Sequence, residues 1–336
     1  MKLLRKILFP IVPIYFIVTW LRNKLYDLGL KPSRCFAHPV ICVGNLSTGG
    51  TGKTPTIEYL IRLLKKPYKV ATLSRGYKRE TSGFIIADDS ATSKSIGDEP
   101  YQFHSKFRDI TVSVDANRQH GIEQLLKLKQ SDVILLDDAF QHRKVKASFN
   151  ILLTCYNDLY CDDIVLPTGN LREPISGAKR AHSIVVTKCP VHLSSFKKEE
   201  IRVKLNILQH QQVYFSSISY SETVFSTNEE STLKQFDGKK VSLVTGIANP
   251  KSLLDYLTSK SIDFEHLKFN DHHEFSSSEI ELLKQKEIVL TTEKDYVRLK
   301  DSFTSQSKQL WCLPISFIIE DNTEFDARIV SHINDF

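Results

Sequence analysis

A glycine-rich segment that ends in Gly-Lys-Thr has the clearest chemical purpose in this 336-residue chain. The segment covers residues 47–55, follows the apolar run 39–43 and precedes a helical pattern over 54–66. A strand, a glycine loop and a helix form a phosphate cradle, because backbone N–H groups and the helix N-terminus converge on one anion. We expect Lys53 to contact the β- and γ-phosphates and the Thr54 hydroxyl to ligate Mg²⁺.

The whole loop is therefore expected to bind the nucleotide. The first glycine of the usual G-x-x-x-x-G-K-[ST] pattern is replaced by Ser47, and an additional glycine pair compensates for it. The predicted nucleotide-binding residues are Ser47, Thr48, Gly49, Gly50, Thr51, Gly52, Lys53, Thr54 and Pro55.

A pair of carboxylates, Asp137 and Asp138, follows the apolar run 133–136. A carboxylate at the end of a strand, together with a phosphate loop, is the Walker-B arrangement, and it holds Mg²⁺ directly or through water. Alone, the pair would indicate a turn or a helix cap. With Gly-Lys-Thr upstream, we predict a metal site made of Thr54, Asp137 and Asp138.

Four further residues are candidates for roles in phosphoryl transfer. Arg172 lies in a predicted loop and would neutralise charge on a transferred phosphoryl group, or else pair with Glu173 at the surface. Asp98 opens a predicted helix and is either an N-cap or a general base. His272 and its neighbour His273 are candidate metal ligands or partners of a carboxylate, and sequence spacing does not decide between these roles.

Thr187-Lys188-Cys-Pro190 partly matches the base-recognition element of GTPases, [NT]-K-x-D. Pro190 stands where the aspartate that reads guanine would be. The segment therefore disfavours guanine and favours ATP, although a turn at the end of a strand explains it equally well.

Composition excludes some classes of function. The net charge of +6 suits an acidic substrate or an anionic membrane surface, but the basic residues are scattered and form no nucleic-acid-binding motif. Six cysteines without a C-x-x-C pair indicate free thiols in a reducing compartment.

The N-terminal stretch 7–21 is uncharged and lies between basic residues. It is shorter than the roughly 20 residues that a spanning helix needs, and Pro10 and Pro13 oppose one straight helix. We predict a monotopic anchor with Tyr15 and Trp20 near the membrane interface. The alternative is a buried helix that packs on the domain.

After residue 38, short continuous apolar runs alternate with helical patterns, which is typical of parallel strands covered on both faces. We predict an α/β fold of the P-loop NTPase type, with a doubly wound, mostly parallel sheet, a second, smaller α/β domain and an N-terminal apolar helix. The predicted boundaries are 1–30 for the membrane-associating helical segment, 31–190 for the P-loop core domain, 191–240 for a linker and the start of the second domain, and 241–336 for the smaller C-terminal domain.

Short motifs along the chain stand in the order of one known family. The chain resembles the tetraacyldisaccharide 4′-kinases, the membrane-associated lipid A 4′-kinases of Gram-negative bacteria. The motifs that carry this resemblance lie at 44–55, 74–79 (Ser-Arg-Gly-Tyr-Lys-Arg), 97–100 (Gly-Asp-Glu-Pro), 115–118, 137–142 (Asp-Asp-Ala-Phe-Gln-His), 166–174, 246–250, 271–275 and 291–295.

The resemblance implies two α/β domains with the active site in the cleft between them. It implies transfer of the ATP γ-phosphate to the 4′-hydroxyl of a tetraacyldisaccharide 1-phosphate, which forms lipid IVA at the cytoplasmic face of the inner membrane. Asp98 matches the catalytic base and His272 its partner, while Lys53 and Arg172 match further catalytic positions. The positions that match substrate contacts are Arg75, Gly76, Tyr77, Gln141, His142 and Asn170. Because they are basic, we expect Arg75, Lys78 and Arg79 to meet the 1-phosphate of the substrate.

The implied partners are ATP, Mg²⁺, the lipid disaccharide and the inner-membrane surface, and no nucleic acid. One residue departs from the family pattern, because Ala139 replaces a glycine and disfavours a left-handed backbone there. Two alternatives remain at this stage: a P-loop ATPase or GTPase switch of the metallochaperone or partitioning type, and a non-catalytic nucleotide-binding module at the membrane.

Overall fold

The computed structural model describes residues 5, 7–128, 131–227, 229–247, 249–271, 273–303 and 308–336. In its first part, strands and helices alternate, as the apolar runs predict. The elements are α1 (Val12–Asp27), β1 (Val40–Asn45), α2 (Lys53–Leu64), β2 (Val70–Ser74), β3 (Ile85–Ile86), α3 (Ser93–Ile96), α4 (Asp98–Lys106), β4 (Thr111–Val114), α5 (Arg118–Leu128), β5 (Val133–Asp137), β6 (Phe149–Cys155) and β7 (Ser183–Thr187).

The second part begins with a helix and a long strand and continues into a separate sheet. Its elements are α6 (Ser195–Leu205), β8 (Gln212–Tyr220), β9 (Thr223–Phe225), β10 (Glu230–Thr232), β11 (Val241–Thr245), α7 (Lys251–Ser259), β12 (Phe264–Lys268), α8 (Ser277–Lys284), β13 (Val289–Thr292), α9 (Glu293–Leu299), β14 (Leu310–Leu313), β15 (Ile315–Ile319) and α10 (Asn322–Asn334). Short 3₁₀ turns cover Phe9–Ile11, Tyr160–Asp162, Ile175–Arg180, Leu233–Phe236 and Lys300–Ser302.

The larger sheet contains nine strands of the described chain, in the order β15-β8-β7-β6-β1-β5-β2-β4-β3. Every neighbouring pair is parallel except the two at the edges, β15–β8 and β3–β4. The central strands β1, β5 and β7 are buried along their whole length, because helices cover both faces. The predicted doubly wound, mostly parallel sheet is confirmed.

A smaller sheet of six described strands has the order β10-β9-β14-β13-β11-β12. Its four strands β14, β13, β11 and β12 are parallel to one another, and apolar clusters cover both of its faces. This is the predicted second, smaller α/β sheet.

The division of the chain between the sheets differs from the predicted boundaries. The segment 191–240, predicted as a linker and the start of the second domain, contains α6 and β8, and β8 extends the larger sheet. Pro314, which has no N–H to donate to a ladder, separates β14 from β15. β14 stays in the smaller sheet, whereas β15 and α10 return to the larger one. The chain thus leaves the larger sheet after β8 and returns to it at β15, and these two strands pair with each other.

The N-terminal helix α1 follows a 3₁₀ turn, with Pro10 in that turn and Pro13 in the first turn of the helix. Proline is tolerated there because the first N–H groups of a helix have no intrahelical acceptor. Among the helices in the described part of the chain, none has the length and apolar character that crossing a bilayer requires.

Candidate active site

The phosphate loop leaves β1 at Asn45 and enters α2 at Lys53. Gly49 and Gly52 have φ angles of +111° and +88°, which side chains disfavour, so glycine is required at both turns. Residues 48–50 form an exposed tip. The predicted strand, loop and helix are confirmed, and the loop is open to an anion.

Side chains from neighbouring strands hold the phosphate loop through hydrogen bonds. Asn45 Nδ2 donates to Thr51 Oγ1 at 2.7 Å. Thr187 Oγ1 donates to the Thr51 carbonyl at 2.9 Å, and Lys188 Nζ donates to the Gly50 carbonyl at 2.5 Å. Thr187, the last residue of β7, and Lys188 therefore support the phosphate loop. A simple turn at the end of the strand, the alternative for this segment, does not account for these contacts.

Asp138 lies between two cations at the mouth of the loop. Arg172 Nη1 donates to both of its carboxylate oxygens at 3.0 Å, and Lys53 Nζ lies 3.6 Å from Oδ1. Burial opposes ionisation of Asp138, but Lys53 and Arg172 outweigh it and hold the pKa of Asp138 below its usual range. Three of the predicted site residues thus meet at one point.

Asp137 ends β5, beside the end of β1 in the parallel sheet. Its Oδ2 accepts from Ser74 Oγ at 3.3 Å, whereas its buried Oδ1 has no hydrogen-bond partner among the described residues. Burial, followed by the charges of Glu99 and Asp138, raises the pKa of Asp137 to about 7. An orphaned carboxylate oxygen beside like charges is what a divalent cation would satisfy, so these residues fit Mg²⁺.

Thr54, the other predicted metal ligand, donates its hydroxyl to Glu99 Oε1 at 3.0 Å. Lys294 Nζ lies 3.2 Å from the same oxygen. Burial raises the pKa of Glu99, but Lys294 and Lys53 outweigh it, so the pKa is lowered overall. Within the described ranges, no three Asp, Glu, His or Cys side chains converge as a ready metal cage. Mg²⁺ takes few protein ligands and keeps its waters.

Asp98 is the first residue of α4, as the helix-start pattern predicts. Its Oδ2 accepts from Arg298 Nη2 at 2.6 Å and from Arg298 Nε at 3.0 Å. Arg298 belongs to α9 of the smaller sheet and also contacts Asp295 at 3.1 Å. His272, the predicted partner of Asp98, lies outside the described residues.

Helix α9 brings the smaller sheet against the helices of the phosphate site. Lys106 of α4 contacts Glu293 of α9 and lies 2.6 Å from Glu58 of α2. Together with the Arg298–Asp98 and Lys294–Glu99 pairs, these contacts join the helix α9 to the helices α2 and α4 beside the phosphate loop.

Known proteins match the chain over this whole architecture. The model of the tetraacyldisaccharide-1-P 4′-kinase family matches residues 4–334. The chain belongs to the tetraacyldisaccharide 4′-kinase family. A member from Flavobacterium johnsoniae is 52% identical over 340 residues, which cover 100% of this chain and 99% of the relative. A member from Bacteroides thetaiotaomicron is 44% identical, with 99% and 94% covered.

A solved structure agrees with these relatives. The crystal structure of LpxK from Aquifex aeolicus in complex with ATP superposes with a TM-score of 0.79 at 28% identity, covering 98% of this chain and 99% of that one. A tetraacyldisaccharide 4′-kinase is an ATP-dependent enzyme of lipid A synthesis, and the comparisons give no support to the ATPase or GTPase switch.

Two of the predicted substrate residues of this kinase are exposed. Arg75 and Tyr77 point outward after β2, with Tyr77 64% exposed, and Gly76 has a φ of +69°. Arg79 instead donates to the Gly83 carbonyl at 2.6 Å, so its guanidinium holds its own loop. Arg75 and Tyr77 thus stay candidates for substrate contact.

Two other predicted substrate residues have their amides engaged inside the kinase. Asn170 binds Asp163 through Nδ2 at 2.9 Å, and its carbonyl accepts from the Thr48 N–H at 2.8 Å. Gln141 Nε2 donates to the Asn45 carbonyl at 2.7 Å. These contacts support the phosphate loop from outside.

His142 is half-buried, and its pKa is lowered by burial and by Arg118. The family departure at Ala139 is accommodated nearby. Ala139 is buried without a positive φ, and the left-handed residue is Asp138, with a φ of +47°. Short polar side chains such as aspartate tolerate that region.

The sequence did not single out several residues that complete this site. Glu99, Lys294 and Arg298 contact the predicted residues, and Arg118 donates from behind to the Asp137 carbonyl at 3.4 Å. Glu99 and Arg118 belong to family motifs and Lys294 to another, so motif membership was an available signal. Arg298 had none, because its role depends on how the two sheets pack.

Proposed function

We propose that this kinase transfers the γ-phosphate of ATP to the lipid disaccharide at the carboxyl ends of β1 and β5. The observation that carries the proposal is the position of Lys53 and Arg172 on either side of Asp138, at the mouth of an exposed glycine loop. Phosphoryl transfer needs positioning and cations more than covalent chemistry, and this mouth supplies both.

Lys53 and Arg172 neutralise charge on the phosphates during transfer. Asp138 keeps both cations aimed at the loop before the nucleotide arrives, so little reorganisation is needed in the transition state. Thr54, Asp137 and Asp138 would hold Mg²⁺, which supplies further charge neutralisation when bound. Thr54 Oγ1, which donates to Glu99 at 3.0 Å, would be the hydroxyl ligand of that site.

Asp98 accepts the proton of the attacking sugar hydroxyl. Arg298 fixes the orientation of this carboxylate, which supports a role as general base because proton transfer depends first on geometry. His272 stays the predicted partner of Asp98. The domain of the larger sheet would therefore supply the phosphate-binding groups and the base. The smaller domain would supply the groups that orient the base.

The N-terminal helix meets the lipid. Its apolar residues point outward: Ile14, Ile17 and Val18 are 64%, 57% and 60% exposed. Thr19 and Asn23 are buried against the core instead. A helix with its polar side toward the protein and its apolar side toward solvent is inverted relative to a soluble surface helix, which supports binding to a membrane interface. Because ATP is a cytoplasmic nucleotide, we propose that this surface binds the cytoplasmic face of the inner membrane.

The test of the catalytic proposal is the formation of ADP with and without tetraacyldisaccharide 1-phosphate in mixed micelles. We expect ADP formation to require the acceptor, to stop when a chelator removes Mg²⁺ and to return when Mg²⁺ is restored. ADP formation at the same rate without acceptor would favour an ATPase.

The membrane proposal is tested by flotation with vesicles that contain anionic lipid. Replacement of Ile14 and Ile17 by serine should reduce co-flotation without lowering the melting temperature. Trp20 fluorescence in a Trp311→Phe background should shift to the blue with vesicles, and the shift should weaken in the serine variant. Unchanged flotation and fluorescence would contradict the anchor.

A further inference from the structure

The inner side of α1 contacts the polypeptide around the phosphate site. Tyr15 Oη donates to the Arg172 carbonyl at 2.9 Å, and Asn23 Nδ2 donates to Glu173 Oε2 at 2.5 Å. Arg22 also donates to the carbonyl of Gln141. The spacing of 15, 22 and 23 is close to two helical turns, so these side chains form one stripe.

Glu173 collects these contacts in the interior. It is 3% exposed, and its Oε1 accepts from Arg180 at 2.7 Å and from Gln141 at 3.1 Å, while Oε2 binds Asn23. A buried carboxylate with one cationic partner depends on each of its hydrogen bonds, because water is not available to replace a lost donor. The helix thus supplies the donor to Oε2, whereas Arg180 and Gln141 of the core supply the donors to Oε1.

From Glu173 the contacts continue to groups that act on the phosphates. The amide of Gln141 that binds Glu173 also donates to the Asn45 carbonyl, where the phosphate loop begins. The preceding residue, Arg172, holds Asp138 and donates its N–H to the Leu46 carbonyl at 2.7 Å. Asn23 is therefore linked through Glu173 and Gln141 to Asn45, and through Glu173 and the adjacent Arg172 to Leu46, where the phosphate loop begins.

We propose that Glu173 and Asn23 are positioning residues through which the seating of the N-terminal helix on the core sets the place of Arg172 and the phosphate loop. This inference rests on the proposed role of Arg172. The two sides of α1 then do different work: the outer, apolar side binds the interface, and the inner, polar stripe sets the rate of phosphoryl transfer.

If Asn23 and Glu173 merely stabilised the fold, the kinetics of their variants would differ from those of positioning residues. Loss of a merely stabilising residue lowers the amount of active enzyme and the melting temperature, and leaves the KM for ATP unchanged. A positioning residue changes kcat and the KM for ATP of the folded enzyme, because Arg172 and the loop contact the nucleotide.

The experiment uses the full chain with acceptor in mixed micelles, and compares Asn23→Ala, Glu173→Gln and Tyr15→Phe. Active-site titration by single-turnover burst corrects each rate for folded enzyme. We expect kcat to fall roughly 3- to 30-fold in Asn23→Ala and Glu173→Gln, in the usual range for coupled positions, and less in Tyr15→Phe. Raising the acceptor concentration should not restore it.

The matched control is Asn334→Ala. Asn334 on α10 accepts from Tyr68 Oη at 2.7 Å, so the same substitution removes an exposed hydrogen bond of an asparagine side chain elsewhere on the core. The control should keep wild-type kcat and KM. Wild-type kcat and KM in Asn23→Ala, or losses equal to those of the control, would overturn the proposal. If Asn23→Ala does not fold, Tyr15→Phe, which removes one hydroxyl, decides in its place.

The outcome is separable from the membrane proposal. The Ile14 and Ile17 serine variant should lose flotation and require more acceptor for half-saturation, which is a defect of the outer side. The Asn23→Ala variant should float like wild type. Wild-type flotation of the Ile14 and Ile17 serine variant would contradict the membrane anchor and leave the positioning proposal intact. Wild-type kcat and KM in Asn23→Ala would contradict the positioning proposal and leave the anchor intact.

Discussion

The two ends of the larger sheet both bury titratable side chains, but they treat charge in opposite ways. At the carboxyl ends of the strands, Asp137, Asp138 and Glu99 gather beside the cations of the loop, and the pKa of Asp137 is raised to about 7. At the amino ends, His182 stacks on Phe149 at 5.0 Å. Burial, followed by His332 and His210, lowers the pKa of His182 to about 4.

The difference lies in what each end needs at neutral pH. His182 is neutral, and its Nδ1 accepts from the Asn150 N–H at 2.9 Å, so this ring needs no charged ligand. The carboxyl end instead keeps an orphaned carboxylate oxygen on Asp137 among like charges. A surplus of charge that only a ligand balances distinguishes a functional cluster from a structural one.

The largest expected effect is the loss of a cation at the carboxyl end. Lys53→Ala should lower kcat at least roughly 10³-fold, because a preorganised charge contact to the phosphates is removed. Asp138→Ala should lower kcat to a similar extent, because it removes the carboxylate that pairs with Lys53 and Arg172 and that would hold Mg²⁺. The steady-state rate of lipid phosphorylation measures it, with Lys66→Ala, an exposed lysine after the same helix, as the control. More than a tenth of wild-type turnover in folded Lys53→Ala would be incompatible with the assignment.

The next effect concerns the base. Asp98→Asn keeps the shape of the side chain and removes its proton affinity, so kcat should fall about 10²-fold or more. The KM for ATP should change little, since Asp98 acts on the acceptor. Single-turnover kinetics at several pH values test this, and an unaltered rate would leave Asp98 as an N-cap that pairs with Arg298.

A smaller effect is the pH dependence of Mg²⁺ binding. The pKa of Asp137 is raised above its unfolded value, so its contribution to stability falls as pH rises from about 4 towards 7 in the metal-free protein. Mg²⁺ competes with that proton. The increase in melting temperature on adding Mg²⁺ should therefore be larger at pH 8 than at pH 6, and Asp137→Asn should abolish this difference. An equal increase at both pH values in the wild type argues against a metal at Asp137.

The smallest effect belongs to the amino end. His182 has a lowered pKa in the folded state, so its contribution to stability is present above about pH 6.5 and is lost as pH falls towards 4. His182→Asn keeps an acceptor near the position of Nδ1 and removes the titration. Its melting temperature should drop less than that of the wild type between pH 7 and pH 5, while kcat at pH 7.5 stays at the wild-type value. A lower kcat in His182→Asn would contradict the claim that the amino end of the sheet has only a structural role.

Local patterns predicted much of this molecule. The strand, glycine loop and helix around Lys53 and the strand that ends at Asp137 were predictable, because each depends on a few adjacent residues. Pairs from distant segments were not. Arg298 meets Asp98 only because α9 packs on α4, and nothing within either segment encodes that contact.

The N-terminal helix shows the same limit. Its uncharged sequence indicates an apolar surface, yet the direction in which that surface faces depends on the core. Asn23 has no distinguishing pattern in the sequence, and its contact with Glu173 spans 150 positions. The segment 191–240 shows a related limit, because its polar composition does not reveal that helix α6 and strand β8 lie within it and that β8 joins the larger sheet.

The most direct test of the account follows the γ-phosphate itself. Purified enzyme is incubated with Mg²⁺, γ-³²P-labelled ATP and tetraacyldisaccharide 1-phosphate, and the lipid is then extracted and treated with mild acid, which cleaves the anomeric 1-phosphate but not an ester at the 4′ position. We predict labelled lipid that keeps its label after the acid step, and none with Lys53→Ala. Label that is released by the acid, or that appears only as inorganic phosphate, would contradict a 4′-phosphoryl transfer at this site.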